Sequence, residues 1–529
     1  MNISKVSFDK IQALAYKDVF YQHNSHQLRE FIQFAPTLDG LSEAIEARGH
    51  HPIDRTLLVN TLASQYANLD TSEIQYQNIY KLKDENTFTV ITAHQPALVG
   101  GPAYYFYKIF STINLANQLN QQHPNCNFVP VFINGAEDHD FDEIKSVNLF
   151  GKTITWDTDQ SGPVGRFSTL QLSETLLQIK EILGDSPQAN QIFSIFDKAA
   201  KNASSYNDFV LSWVNDFFSE YGVLVFNMDH ADLKKAFIPI MEKEIIHKIS
   251  ESHVQKTQEQ LQQFGFKPQA FARDINLFYI NGASRERIIY ENSIYKINNQ
   301  DITFTEQEII DHLHQFPERF SPNVILRPLY QEYILPNIAY IGGGGELAYW
   351  LERKSQFAYF GVFYPVLIRR NSVMIIPKSI QKLMEKLHLT EEDILLDDDK
   401  LITLYLEKNT GHNFHLNSEI EQTSKIFDAI SETAKSIDPT LEMTVKGEGH
   451  KVAKILEGIE SRLKRVLKQK EETNIQQIRT IKAKLFPNHG LQERTDSYLQ
   501  FLVTEGPELN KTLISALNPL EKEFLIIYL

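Results

Sequence analysis

Three short runs of apolar residues constrain the fold of this chain more than any other feature. They are 87–92 (TFTVIT), 127–133 (NFVPVFI) and 223–226 (VLVF), all rich in β-branched and aromatic residues. Each run ends at polar residues, and amphipathic helical patterns follow the first and the third over 104–119 and 231–250. Continuous apolar strands that alternate with helices are typical of a parallel sheet covered on both faces. The sequence therefore predicts an α/β fold.

The rest of the 529 residues divides around this sheet. The strand pattern resumes at 337–341 and 365–376, so we expect a core over residues 1–378. Two insertions interrupt this core, near 150–215 and near 265–320. The first is too long for a simple loop and predicts helices of its own. The second contains short strands separated by Asn-Gly and Asn-Asn turns, which predict a small antiparallel meander.

The part of the chain after the core is helical and charged. Apolar residues recur there at three- and four-residue steps, at Val452, Ile455, Ile459, Leu463 and Val466, and then at Ile475, Ile478, Ile481 and Leu485. We interpret this stripe as a packing seam, whose simplest partner is a second copy of the chain. We therefore expect a long α-helical coiled-coil domain over 379–486 and a homodimer. The segment 487–529 is expected to be helical and to dock its apolar end on the core.

Charge and composition exclude several classes of protein. The formal net charge of -15 argues against general nucleic-acid binding, which favours a basic surface. No apolar run approaches the length of a membrane span, and the first residues lack the apolar core of a signal peptide. A single cysteine, Cys126, cannot form an internal disulfide. We expect a cytoplasmic protein without nucleic-acid or membrane partners.

A basic stripe lies roughly opposite the apolar seam of the long helix. Its members are Lys451, Lys454, Arg462, Arg465 and Lys468. A solvated helix face is the simpler explanation of such a stripe. A phosphate-bearing ligand is the alternative, and it would make Lys451, Arg462 and Arg465 nucleotide-binding residues.

Polar clusters lie at or near the predicted carboxyl ends of several strands, where open α/β sheets bind ligands. The first cluster combines His94 and Gln95 with Gly101 and Pro102, just before a helix. A helix N-terminus favours an anion, and small residues let a backbone approach a ligand closely. His94 is a candidate proton carrier or a hydrogen-bond donor to a phosphate. The alternative is a structural histidine whose hydrogen bonds are made within a turn.

The second cluster holds five carboxylates and one histidine between residues 137 and 143. Carboxylates this dense repel one another unless cations or hydrogen-bond donors lie among them. A divalent metal, a substrate amine or a nearby arginine would each meet that need. Capping of a helix explains one or two of the five. The candidate functional residues here are Glu137, Asp138, His139 and Asp140.

The third and fourth clusters contain arginines and glycines that suit an anionic ligand. The fork of Arg327 fits a carboxylate or a phosphate, with a structural ion pair to Glu332 as the alternative. Four glycines follow the predicted strand at 337–341 and suit a ligand pressed against the main chain. The candidate ligand-binding residues are Arg327, Gln331, Glu332, Gly343, Gly344, Gly345, Glu346, Arg370 and Asn371.

Several sequence blocks together resemble the BshC family, the cysteine ligase of bacillithiol biosynthesis. They are TAHQPALVGGPAYYFYKIFSTINLANQL, PVFINGAEDHDFDEI, RPLYQEYILPNIAYIGGGGELAYWLE, PVLIRRNSVMII and LQERTDSYLQFL. The resemblance covers essentially the full length of the chain. It implies a Rossmann-like core related to nucleotidyltransferases and class I synthetases, with inserted connecting subdomains. It also implies a coiled-coil domain used for dimerisation.

The resemblance implies a reaction as well, the joining of cysteine to glucosaminyl-malate in the last step of bacillithiol biosynthesis. Formation of an amide needs an activated carboxylate. If ATP is used, adenylation of the cysteine carboxylate is the natural route, with Mg²⁺ near the phosphates. Arg327, Arg370 and the glycines would then hold anionic groups.

The same mechanism assigns catalytic roles to the first two clusters. Glu137, Asp138 and His139 would bind the cysteine or sugar amine and move protons, beside His94 and Gln95. Many relatives carry glycine at the position of Ala93, and glutamine or histidine at that of His94. The resemblance therefore favours Gln95 over His94 as the constant member of its loop.

Two other interpretations stay open from the sequence. A metal-dependent nucleotidyltransferase or hydrolase would use residues 137–143 as its ligand cluster, although we expect no resident metal. A non-catalytic adaptor would bind its partners through the coiled coil. The polar clusters at several strand ends count against an adaptor, because an adaptor does not need them.

Overall fold

The computed structural model describes residues 2–409 and 414–529, which form two compact units. The first unit runs to Ile375 and includes Gly490–Ile527 and Leu529, and the second comprises Ile376–His489 and Tyr528. None of the helices in the described ranges is both long and apolar enough to cross a membrane.

The first part of the first unit contains both helices and strands. In chain order they are β1 (Asn2–Ser7), α1 (Tyr16–Asn24), α2 (Leu38–Arg48), α3 (Arg55–Tyr66), α4 (Glu73–Lys81), β2 (Thr87–His94), α5 (Tyr104–Gln122), β3 (Asn127–Asn134), α6 (Phe141–Ile144), β4 (Ser146–Leu149), β5 (Lys152–Thr155), α7 (Leu172–Leu183), α8 (Pro187–Asn202), α9 (Tyr206–Phe218) and β6 (Leu224–Asn227).

The following part adds the second insertion and the remaining strands of the main sheet. Its elements are α10 (Ala231–His247), α11 (Ile249–Gln262), β7 (Leu277–Asn281), β8 (Ser284–Glu291), β9 (Ile294–Ile297), β10 (Thr303–Phe304), α12 (Glu306–Gln315), β11 (Phe320–Pro322), α13 (Arg327–Ile334), β12 (Asn337–Gly342), α14 (Gly344–Leu351), α15 (Lys354–Phe360), β13 (Val366–Arg369) and β14 (Val373–Ile376).

Helices dominate the remainder of the chain. The second unit contains α16 (Lys378–Lys386), α17 (Glu391–Leu395), α18 (Asp398–Asn409), α19 (Asn417–Ile437), α20 (Leu441–Lys470) and α21 (Glu472–Leu485). The chain then adds α22 (Tyr498–Glu505), α23 (Glu508–Ala516) and β15 (Glu523–Tyr528).

The predicted parallel sheet is confirmed. Its five strands lie in the order β13-β12-β2-β3-β6, and every neighbouring pair is parallel. Its central strands β2 and β3 are buried along almost their whole length, as expected for apolar strands covered on both faces. Because the strands are parallel, their carboxyl ends share one edge of the sheet, at His94, Asn134, Asn227, Gly342 and Arg369.

Both insertions contain the kinds of element that the sequence predicts. The first contains the helices α7, α8 and α9, and the hairpin of β4 and β5 lies at its start. The second contains the predicted antiparallel meander of β7, β8 and β9. Two strands not predicted, β10 and β11, extend this meander into a five-stranded sheet in the order β10-β9-β8-β7-β11.

The expectation of one strand over 365–376 is wrong. The chain forms two strands there, β13 and β14, which belong to different sheets. The break coincides with a buried carboxylate, that of Glu493, which accepts hydrogen bonds from Arg370, from the Ser372 hydroxyl and from the Val373 N–H. These polar partners replace the ladder that a continuous strand would form.

The expectation of an entirely helical segment after Pro487 is also wrong at its end. Helices α22 and α23 bear it out as far as Ala516, but the apolar end forms strand β15. This strand lies between β1 and β14, and the Leu525 N–H donates to the Ser372 carbonyl at 3.0 Å. The apolar run FLII explains the choice, because its residues favour strands and find a buried site in this sheet.

The second unit contains the predicted long helices. Helices α19 and α20 approach closely at Gly449, where a side chain would overlap that of Phe427. The predicted apolar stripe divides into two parts. Its last four members, Ile475, Ile478, Ile481 and Leu485, are fully buried. Four members on α20 stay 40–61% exposed in the single chain, namely Ile455, Ile459, Leu463 and Val466.

Candidate functional site

Two loops with different chemistry flank the end of strand β2. The acidic loop, residues 135–143, follows β3, and the glycine loop, residues 342–345, follows β12. Strand β2 lies between β3 and β12 in the sheet. Because neighbouring strands are about 5 Å apart, the two loops begin about 10 Å from one another. One ligand, or two that react together, can reach both loops.

The end of β2 is bonded directly to the acidic loop. Gly135 donates its N–H to the His94 carbonyl at 2.8 Å. The side-chain amide of Gln95 donates to Asp138 Oδ2 at 2.9 Å and to Glu143 Oε2 at 3.1 Å. The structure therefore brings Gln95 and Asp138, two of the predicted catalytic residues, into contact.

Asp138 is a carboxylate held in its ionised form. Burial raises the pKa of its carboxyl group, but the Asp140 N–H and the Gln95 amide outweigh burial and hold this pKa below its ordinary value. A carboxylate accepts about four hydrogen bonds, and these two donors leave capacity for another. Asp138 is therefore suited to accept a hydrogen bond from a ligand ammonium group.

Cations of the protein itself neutralise other carboxylates around the acidic loop. The ammonium group of Lys234, which is fully buried on α10, lies 2.6 Å from Glu137 and 2.9 Å from Asp229. Arg166 forms a two-pronged bond to the same Asp229. The predicted need for cations among these carboxylates is thus met at Glu137 by a lysine.

His139 contacts an arginine from the second insertion. Its Nδ1 lies 2.7 Å from the guanidinium of Arg285, which also stacks on the ring of Phe278. A guanidinium can only donate, so Nδ1 is the acceptor and the ring proton lies on Nε2. Burial and the positive charge of Arg285 lower the pKa of His139. At neutral pH the His139 ring is uncharged, and its Nε2–H group can donate a hydrogen bond.

His94 is also a neutral ring. Its Nδ1 lies 2.9 Å from the Gln95 carbonyl and must carry the proton, while Nε2 accepts from the Tyr104 hydroxyl at 3.1 Å. Burial and the charge of Lys108 lower the pKa of His94 to about 4. The predicted proton carrier is therefore held without charge, and both of its nitrogens have protein partners.

Buried Lys108 and partly exposed Glu346 form an ion pair at the base of the glycine loop. The ammonium group of Lys108 lies 2.8 Å from the carboxylate, which also accepts from the Tyr340 hydroxyl at 2.7 Å and the Gly343 N–H at 2.9 Å. Burial raises the pKa of Glu346, but Lys108 and the other donors outweigh it and lower this pKa to about 2. Lys108 also donates to the Ala93 carbonyl of β2.

Lack of space, and not backbone conformation, explains two glycines of this loop, since none of its residues has a positive φ. A side chain on Gly344 would overlap the carboxylate of Asp18, and one on Gly342 would lie 3.0 Å from Tyr340. Gly343 and Gly345 differ, because a Cβ atom on either would have its nearest neighbour at 3.5 Å, an ordinary contact. Both positions are partly exposed, and at this open surface a ligand can approach the main chain.

Two arginines have unused donors beside this open surface. Arg370 binds Glu493 through both terminal nitrogens, but its Nε is buried without a partner, 3.7 Å from the position of a Cβ on Gly343. Arg327 donates to the Tyr349 hydroxyl at 3.2 Å and has no carboxylate partner among the residues that the structure describes. Both guanidinium groups can therefore donate to an anion.

The surroundings of the glycine loop carry a net positive charge in an acidic protein. Three carboxylates, those of Asp18, Glu346 and Glu493, face six cations. The cations are Lys17, Lys108, Arg327, Arg369, Arg370 and Arg494. The excess of three positive charges suits a ligand with two or more negative charges.

Several predicted site residues lie in the interior of the protein. Gln331 and Glu332 are fully buried, and both Gln331 and Asn337 donate to the Glu332 carboxylate. The ion pair considered between Arg327 and Glu332 is not formed. Asn371 is bonded to Ser111 and to the Asn518 carbonyl.

The predicted residues Gly101 and Pro102 lie before helix α5, and the predicted nucleotide-binding residues lie in the second unit. Gly101 adopts a positive φ of 53° and is followed by Pro102, just before α5. The predicted nucleotide-binding residues Lys451, Arg462 and Arg465 are exposed on α20 in the second unit, where Lys451 donates to Glu448.

Sequence reasoning missed several charged residues that build the site. Lys108 left a signal, because it is the one charged residue in the apolar pattern of α5, where a buried charge requires a partner. Lys234 occupies a similar position beside Leu233 on α10. Asp18 and Glu493 left no local signal, because their partners are more than a hundred residues away in the chain.

The described residues contain no preformed cluster of metal ligands. Within 2–409 and 414–529, no group of three or more His, Cys, Asp or Glu side chains is placed to hold a metal ion. Two carboxylates of the acidic loop have close cationic partners, Glu137 with Lys234 and Asp142 with Lys145.

Glu332 gives a pH-dependent prediction. Burial raises the pKa of its carboxyl group from 4.5 to about 7. A raised folded-state pKa means that the stabilising protonated form is complete below pH 4.5 and is lost as pH rises through about 7. We expect Glu332→Gln to match the wild type at pH 4 and to be more stable by about 3 kcal/mol at pH 8, measured by urea unfolding.

The exposed Glu43→Gln variant is the control and should not change this difference. An equal stability difference between Glu332→Gln and the wild type at both pH values would contradict a protonated Glu332 in the folded protein.

Comparison with known proteins identifies the family. Residues 1–371 match the N-terminal Rossmann-like domain of bacillithiol biosynthesis BshC, and residues 373–529 match its C-terminal coiled-coil domain. A protein of Flavobacterium johnsoniae named as a cysteine ligase BshC is 39% identical, over 96% of each chain. Relatives with the same name are 37% identical in Flavobacterium psychrophilum, over 99% of this chain and 98% of the relative, and 28% identical in Bacillus cereus, over 91% and 92%. With both family domains matched over nearly its whole length, the chain belongs to the BshC family of bacillithiol biosynthesis.

Proposed function

We propose that this chain is a ligase that forms an amide bond between the carboxyl group of cysteine and the amine of glucosaminyl-malate. Its family and the names of its relatives support this reaction. The observation that carries the proposal is the pair of loops at the end of β2, one with an ionised carboxylate and one with an excess of cations. An amide-forming enzyme must hold an amine and an anionic partner close together.

The amine is assigned to the acidic loop. Asp138 is ionised and keeps free hydrogen-bond capacity, whereas Glu137 is already paired with Lys234. Asp138 would bind the ammonium group and position it for attack, which follows loss of a proton from the amine to solvent. Gln95 donates to Oδ2 of Asp138 and holds its side chain in place. Asp138 is therefore the residue proposed to bind the amine, with Gln95 as the residue that orients it.

The anionic part of the substrate is assigned to the glycine loop. The malate portion of glucosaminyl-malate carries two carboxylates, which match the net positive charge around this loop. Arg327 has donors available beside this loop, and the Nε of Arg370 lies buried next to Gly343 without a partner. The open positions at Gly343 and Gly345 let an anion approach the backbone. Recognition by these groups favours a doubly charged ligand over a singly charged one.

The energy for the reaction is proposed to come from ATP with Mg²⁺. Transfer of AMP to the cysteine carboxylate would form a mixed anhydride and release pyrophosphate, and attack by the amine would then form the amide and release AMP. The metal would be bound mainly by the phosphates, as Mg²⁺ commonly is in nucleotide enzymes. Lys451, Arg462 and Arg465 are the residues proposed for contact with the nucleotide.

We also propose that the protein works as a homodimer in the cytoplasm. Four apolar residues stay exposed along one side of α20, and exposed apolar stripes of this kind are typical of helix–helix interfaces. The same stripe on a second copy would bury them. The single cysteine of the chain is in keeping with a reducing compartment.

The ligase proposal predicts a product and a variant that cannot make it. Purified protein incubated with cysteine, glucosaminyl-malate, ATP and Mg²⁺ should yield bacillithiol, detected by mass spectrometry. Asp138→Asn should lower turnover by about a hundredfold or more, because a neutral amide binds and positions an ammonium group far more weakly than a carboxylate does. Its melting temperature should stay close to that of the wild type.

The matched control is Asp157→Asn, an exposed aspartate outside both loops that should leave turnover unchanged. Reactions without ATP test the energy source separately. Wild-type turnover in Asp138→Asn would remove the proposed role of this residue, and absence of product from folded wild-type protein with intact substrates would contradict the reaction.

The dimer proposal predicts that a charge on the exposed stripe separates the subunits. Leu463→Glu should sediment as a monomer at concentrations where the wild type is a dimer, because the interface would have to bury a carboxylate. Ser461→Glu changes an exposed residue on another face of the same helix and should remain dimeric. A wild type that sediments as a monomer would contradict the proposal.

A further inference from the structure

Asp18 of helix α1 is a buried charged residue that packs directly against the glycine loop. It is fully shielded from solvent, and its Oδ1 accepts from Arg369 Nε at 2.9 Å. Arg369 is the last residue of β13, at the same sheet edge as the glycine loop. This bond connects the N-terminal helix to the carboxyl edge of the sheet.

The carboxylate of Asp18 occupies the space that a side chain at position 344 would need. A Cβ atom on Gly344 would overlap both oxygens and the carboxyl carbon of Asp18. Gly344 is also the first residue of α14, so this contact fixes the point where the loop becomes a helix. Gly343 and Gly345 lack such a neighbour and present the open surface described above.

The two oxygens of Asp18 have different surroundings. Oδ1 pairs with Arg369, which is itself fully buried, so a carboxylate at position 18 compensates the charge of this guanidinium. Oδ2 is buried without a hydrogen-bond donor, and Arg494 lies 3.8 Å from it. The carboxylate therefore has one side bound to the end of β13 and the other packed against Gly344.

We propose that Asp18 is a positioning residue of the active site, which fixes Gly344 and thereby aims the glycine loop at the anionic part of the substrate. This inference rests on the proposed function, in which the loop binds the two carboxylates of the malate portion. Asp18 acts through the loop and does not touch the substrate. The N-terminal helix thus becomes part of the binding site.

The proposal makes the effects of Asp18 and Gly344 depend on one another. Gly344→Ala should raise KM for glucosaminyl-malate at least tenfold, because the new methyl group displaces the loop from Asp18. In an Asp18→Ala background the methyl group has room, so Gly344→Ala should raise KM less than threefold further. Asp18→Asn fills the same volume and still accepts from Arg369, so its KM should stay within threefold of the wild type.

Two controls and a second measurement accompany the kinetics. Asp39→Ala changes an exposed aspartate, and Gly458→Ala changes a helical glycine with open space around it. Neither should change KM. Melting temperatures of all variants report packing, and a role in packing alone predicts coupling in melting temperature without coupling in KM. The kcat of Gly344→Ala should change less than its KM.

The possible results distinguish failure of the positioning role of Asp18 from failure of the proposed function. KM effects of Asp18→Ala and Gly344→Ala that multiply independently would overturn the positioning role, as would coupling confined to melting temperature. Binding of malate and of inorganic phosphate to the wild type is measured by titration calorimetry. A wild type that binds either anion but shows no coupling leaves the loop assignment intact, whereas one that binds neither anion nor glucosaminyl-malate contradicts both the positioning role and the proposed function.

Discussion

The ion pair between Lys108 and Glu346 is the interaction on which the arrangement of the site depends. It joins helix α5 to helix α14, and further bonds connect it to Ala93 of β2, Tyr340 of β12 and the Gly343 N–H. A buried charge such as that of Lys108 is tolerated only when it is paired and hydrogen-bonded, as it is here. Loss of either partner would leave a charge without compensation beneath the glycine loop. The pair therefore fixes the relation between the end of β2 and this loop.

Charge separates the two sides of the site. On one side, the acidic loop presents the ionised Asp138, while Lys234 neutralises the neighbouring Glu137. On the other, the glycine loop is surrounded by more cations than carboxylates, with Arg327 and Arg370 keeping unused donors. An amine and an anion would be attracted to opposite sides of β2. A parallel sheet makes this arrangement simple, because loops after neighbouring strands meet at one edge.

The sequence predicted the parallel sheet and the location of both loops, because these depend on local patterns. Apolar runs identify β2 and β3, and the loops follow them or another strand directly in the chain. What the sequence could not predict depends on contacts between distant residues. The break between β13 and β14 is occupied by Glu493, and Gly344 is explained by Asp18. Gln331 and Glu332 lie near Arg327 in sequence but on a part of α13 that faces the interior.

A crystal structure with glucosaminyl-malate bound would show whether the glycine loop binds the anionic part of the substrate. A malate carboxylate should lie over Gly343, within hydrogen-bond distance of Arg370 Nε and of the Arg327 guanidinium. The sugar amine should then lie towards Asp138. A ligand with its carboxylates away from the glycine loop, and Arg370 Nε still without a partner, would show that this loop does not bind the substrate.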